Sequence, residues 1–98
     1  MLLERQLAEL HTSAQIVVLH YSPIRETVEG EPPELFPYLG CSRLAEPIER
    51  FPVTAVVHGH SHYGTVEGVM KSGCPVYNCA LPLLARQSDR PAFVTIEV

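Results

Sequence analysis

What this chain has little of narrows its function before any motif is considered. Lysine and arginine together number seven against eleven acidic residues, which leaves a formal charge of −4 and a pI near 5.6. The basic residues are scattered, so a nucleic-acid-binding surface is not expected. No apolar run approaches the ~18 residues of a membrane span, and the N-terminus lacks the basic-then-apolar order of a signal peptide. Cys41, Cys74 and Cys79 are odd in number and form no C-x-x-C pair. They argue against a disulfide framework and for a reduced, cytoplasmic setting. A zinc site on Cys74, Cys79 and a histidine is conceivable, but the spacing is not that of a zinc knuckle, and buried thiols are the plainer expectation. Aspartate and asparagine occur once each, as Asp89 and Asn78.

What is present fits one small domain: 98 residues, 46% of them hydrophobic, without internal repeat or low-complexity tract. Leu3, Leu7, Leu10 and Ala14 recur at helical spacing opposite Glu4, Arg5 and Glu9, which predicts an amphipathic helix over residues 2–12. His11, near its end, is expected in solvent. Residues 15–20 form a near-continuous apolar run ending in His20, the pattern of a strand covered on both faces. Residues 21–40 carry four prolines, two glycines and Glu26, Glu29, Glu31 and Glu34. A loop of that length is usually functional or mobile; a solvated acidic loop and a substrate-contacting lid are both open. Ser42 is placed to cap a second helix with Leu44, Ile48 and Phe51 on one face, although Pro47 conflicts with an uninterrupted helix.

Residues 53–57 then predict a second buried strand, which delivers His58-Gly59-His60-Ser61-His62. Three imidazoles in five residues are hard to explain by packing, and neutral imidazole is the commonest metal ligand. In an extended segment, positions two apart lie ~6.5–7 Å apart at Cα, so His60 and His62 suit neighbouring ions better than one. Two apolar strands joined through a helix read as a βαβ unit with parallel strands. Both strands would end at one sheet edge, and both end in histidine, so His20 is expected near His60 and His62 at the edge where α/β sheets bind ligands. Residues 64–69 and 75–78, with a turn through Lys71-Ser72-Gly73, predict an antiparallel hairpin. Residues 81–84 are an apolar patch, residues 87–91 a polar turn, and residues 92–98 alternate as a final strand.

The order of these parts resembles the C-terminal half of a calcineurin-like metallophosphoesterase. The resemblance runs through nearly the whole chain: the opening helix, the strand ending His20-Tyr21-Ser22-Pro23, the second helix, Gly59-His60-Ser61-His62, and Val76-Tyr77-Asn78 before Ala-Leu-Pro-Leu-Leu. It implies an α/β fold, a partial β-sandwich flanked by helices, with residues 1–98 as one partial domain. It also implies hydrolysis of phosphate esters by two divalent metals, manganese, iron or zinc. By motif, His20 and His60 would bind the second metal and His62 the first, while His58 matches no ligand position and would either support the ligands from behind or simply end the strand.

The departure is as informative. The family's D-x-H, G-D-x-x-D and G-N-H elements, which supply the carboxylates and the bridging aspartate, are absent. Two divalent ions bring four positive charges that neutral imidazoles do not offset, and hard ions favour carboxylate oxygen. The chain alone is therefore expected to be inactive, to need the missing N-terminal half, and to self-associate through an uncovered apolar face and strand edge. The alternatives are a stand-alone metal-binding or interaction module without catalysis, and an α/β domain whose histidines are fortuitous.

Overall fold

The computed structural model describes residues 2–87 and 91–98; Asp89 and most of the polar turn expected over residues 87–91 lie outside them. Among the described residues the strands form one mixed sheet of four, flanked by short helices. In chain order the elements are α1 (Leu2–Glu9), β1 (Ile16–Leu19), α2 (Phe36–Leu39), α3 (Ala45–Arg50), β2 (Ala55–His58), β3 (Glu67–Val69), β4 (Pro75–Asn78) and α4 (Leu81–Ala85). The spatial order of the strands is β1-β2-β4-β3.

The βαβ unit is present as its sequence pattern predicts. β1 and β2 run parallel, Ile16 opposite Ala55 through Leu19 opposite His58, so the two strands end level with each other. β4 pairs parallel to β2 on its other side and antiparallel to β3; the hairpin turns through Gly73, whose φ of 91° suits glycine. Residues paired across a sheet point to the same side. One face therefore carries Val17, Val56 and Val76, all buried, and Leu7, Ile48, Met70 and Cys74 complete the core against them. The same row continues toward the strand ends as His58 and Asn78, both buried.

Several expectations are corrected. The first helix ends at Glu9, with Leu7 buried and Leu10 exposed, because the chain turns away toward β1 before its apolar stripe is used up. Ser42 caps nothing: it opens a 3-10 turn, Ser42–Leu44, that leads into α3 without a side-chain cap. That turn resolves the Pro47 conflict, since proline falls in the first turn of α3, where its missing N–H has no intrahelical partner to lose. Residues 81–84 are the body of α4, whose Leu83 and Leu84 form a second cluster with Val66 and Ala80.

Three corrections bear on function. Residues 92–98 form no strand, and a second sheet is not present among the described residues, so the β-sandwich is not seen. Alternation marks which side chains would face a core, but a strand also needs a neighbour to bond. β1, apolar enough for burial on both faces, has only one face covered: Val17 is 4% exposed and Val18 is 75% exposed. Residues 22–40 are not a loose solvated loop. They hold two 3-10 turns, Glu26–Val28 and Pro33–Leu35, together with α2. Their ends close on each other, Ser22 N–H donating to Leu39 O (3.1 Å) and Cys41 N–H to Ser22 O (2.8 Å). Ser22, Thr27, Val28, Glu31 and Leu39 are all buried. The segment is an Ω-like loop packed across the strand ends.

The two faces of the sheet should respond differently to substitution. Ile48→Ala, at a site 1% exposed, should cost about 2–5 kcal/mol in urea unfolding. Val18→Thr should stay within about 0.5 kcal/mol of the parent; a large loss there would show that the outer face of β1 is covered in solution.

Candidate metal centre at the strand ends

The parallel register of β1 and β2 brings His20 to His60 across forty positions of sequence. Their rings stack with centroids 4.3 Å apart and planes inclined by 30°. Tyr21 stands edge-on to both, 5.0 Å from His20 and 5.5 Å from His60. His60 has a φ of 72°, the one positive value outside glycine among the described residues. A left-handed non-glycine residue costs about 1–3 kcal/mol unless its surroundings hold it there. The segment beyond β2 is therefore a turn and not the extended run that the i, i+2 spacing assumed. His60 Nε2 lies 3.1 Å from Tyr38 O. A carbonyl only accepts, so Nε2 donates.

The loop carrying the histidines is held at three consecutive residues by side chains from three elsewhere-anchored positions. Asn78 Nδ2 donates to Ser61 O (2.8 Å). Arg86, at the end of α4, donates to His62 O and stands over the Tyr63 ring, 4.4 Å from its centroid. The Tyr63 N–H donates to Glu31 Oε1 at 2.6 Å. Glu31 is thus held by the fold, a constraint that no local pattern in residues 26–34 reveals. Gly64 completes the turn, since a Cβ there would collide with Thr27 O and Ser61 Oγ.

His58 turns inward from the end of β2. It is 2% exposed, with Nδ1 2.8 Å from Gly59 O and Nε2 2.8 Å from Thr27 Oγ1. Burial pushes its pKa below the ordinary 6.5, against a smaller opposing pull from the Gly59 carbonyl. The neutral ring gives its Nδ1 proton to Gly59 and accepts the Thr27 hydroxyl at Nε2. Ser22 Oγ lies 2.6 Å from both Thr27 Oγ1 and Ile24 O, so its single proton is shared between them. Sequence reasoning missed Thr27, Arg86, Tyr21 and Tyr38, because a lone threonine, arginine or tyrosine carries no spacing signal.

The donor set does not fit a dinuclear centre as it stands. Imidazole lone pairs lie in the ring plane, and two rings stacked at 30° do not converge on one ion at the ~2.1 Å of a metal–imidazole bond. Among the described residues no three His, Cys, Asp or Glu side chains come together to hold an ion, so His62 does not join the stacked pair in such a group. Burial pushes the Cys74 and Cys79 thiols up, Cys74 further under the charge of Glu49. That leaves both as thiols in the metal-free chain.

Above pH 6.5 both folded and unfolded chains hold His58 neutral. Below it the unfolded chain takes a proton that the buried ring refuses, so stability falls as pH falls toward the depressed folded pKa. Chemical unfolding at several values between pH 7.5 and 5 should show this slope, and His58→Gln should flatten it; equal slopes would refute the assignment. Thr27→Val removes the hydroxyl that pairs His58 Nε2 and should cost about 1–3 kcal/mol in the same assay. Compared with protein-family models, with curated proteins and with solved structures, the chain matches none.

Proposed function

We propose that this chain is the C-terminal segment of a metal-dependent phosphoester hydrolase of the calcineurin-like kind, supplying the histidine half of its metal centre. The observation that carries the reading is the His20–His60 pair. Two imidazoles distant in sequence meet at the carboxyl edge of parallel strands, where α/β sheets bind ligands, and one of them is held in a strained backbone conformation. Packing has no use for such an arrangement on an exposed edge; strain of this kind gathers at functional sites. The exposed outer face of β1 supports the same reading, because its apolar sequence is that of a strand with a second layer.

In this reading His20 and His60 would turn out of their stack to hold one ion, His62 would hold a second, and the carboxylates would come from another segment. The ions would supply water activation and charge stabilisation for phosphoryl transfer. This chain's own part is narrower. Asn78, Arg86 and Glu31 fix the loop that carries His60 and His62, and His58 and Thr27 hold the end of β2 behind it. The uncovered strand edge and face favour self-association.

Equilibrium dialysis with zinc and with manganese tests the assignment. Binding should be weak, and lost in His60→Ala and in His20→Ala but kept in His11→Ala; binding indifferent to His20 and His60 would refute it. With manganese present, the chain alone should hydrolyse a chromogenic phosphodiester no faster than buffer. Mixing it with a segment bearing the D-x-H, G-D-x-x-D and G-N-H elements should produce turnover that His62→Ala abolishes.

A further inference from the structure

A cleft of about 280 Å³ opens within the Ω-like loop, against the ends of β1 and of the turn before α3. Its apolar walls come from Pro23, Ile24, Val28, Phe36 and Pro37, and among its lining residues Arg25 is the one that carries a charge. The cleft adjoins the histidine pair along the chain. Ser22, in its lining, follows His20 by two residues, and Pro37 precedes Tyr38, whose carbonyl meets His60.

The chemistry of the walls defines what fits. The half-buried Phe36 ring and the exposed Pro37 ring offer apolar surface, which a planar group covers more fully than a branched chain does. The Arg25 guanidinium stands 5.5 Å from the centre of the Phe36 ring, placed to stack on a planar ligand or to fork toward an anion. Its carboxylate neighbour Glu29 is 3.9 Å away, and both side chains are largely exposed. Such a pair is screened and weak, so the cation remains available to a ligand. The volume lies just under the range typical of drug-sized ligand sites, which is room for one ring system and not for a polymer.

We infer that the cleft is the recognition site for the alcohol portion of the substrate, and that the substrate class is a phosphate ester of a compact aromatic or heteroaromatic alcohol. The ring enters against Ile24, Phe36 and Pro37, and the phosphate is met by Arg25. The phosphate part of this assignment rests on the hydrolase reading above; the aromatic part rests on the cleft alone.

The test is a titration of the isotope-labelled full chain with phenyl phosphate in the presence of a chelator, followed by amide NMR, with inorganic phosphate and phenol as separate arms. Phenyl phosphate should give saturable shifts at Ile24, Val28 and Phe36 and bind more tightly than either arm. Arg25→Ala should weaken it about 10- to 100-fold. Ser42→Tyr, on the exposed rim of the cleft, should block entry. Arg25 and Ser42 are both exposed, so neither substitution disturbs the core, and unchanged thermal unfolding verifies this. The inference is overturned by shifts confined to other regions, by inorganic phosphate binding as tightly as the ester, or by unchanged affinity in either variant. Because the titration is free of metal, it separates the two proposals. Intact phenyl phosphate binding beside failed histidine-dependent metal binding removes the hydrolase reading and leaves the cleft; the reverse removes the cleft alone.

Discussion

Thr27 is the point on which the functional edge of this fold depends. Its hydroxyl lies against both Ser22 Oγ and His58 Nε2, and its carbonyl accepts from Asn78 Nδ2 and from the Thr65 N–H. One fully buried residue thereby joins the 22–40 loop, the end of β2, the end of β4 and the segment leaving the histidine loop. Each bond is worth about 1 kcal/mol net, so their sum is modest. Their weight lies in what an unpaired group would cost inside a site with no water to replace the partner. His58 and Asn78 continue the row of Val56 and Val76, and a polar end to an apolar row is tolerable because Thr27, Gly59 and Ser61 together satisfy it.

Rigidity at this edge explains the geometry around His60. The backbone there is strained, and strain persists where neighbours over-determine the chain. Asn78, Arg86 and Glu31 hold the three residues after His60 from β4, from the end of α4 and from the Ω-like loop. The stacked imidazoles are therefore displayed on a fixed platform. The edge strand β1 is apolar on both faces, Ile-Val-Val-Leu, yet leaves Val18 in solvent.

Much of the βαβ core was legible because its signals are local. The apolar runs before His20 and His58, the helical spacing of Leu3 and Leu7, and the Lys71-Ser72-Gly73 turn each declare an element through short-range periodicity or turn chemistry. The parallel pairing followed from a connection that only a crossover can make, and with it the meeting of His20 and His60. The pattern failed where an element depends on a partner. Residues 92–98 alternate like a strand but have no strand to pair with, and β1 reads as doubly covered although one of its faces is open.

Residue type and connectivity are enough to say which residues have the chemistry of a site and that two strand ends must share an edge. That His58 turns inward to Thr27, that His60 stacks on His20, and that the acidic loop is a packed wall with a cleft in it emerge in three dimensions alone. Those outcomes depend on hydrogen bonds and contacts between residues distant in the chain, which no local pattern encodes.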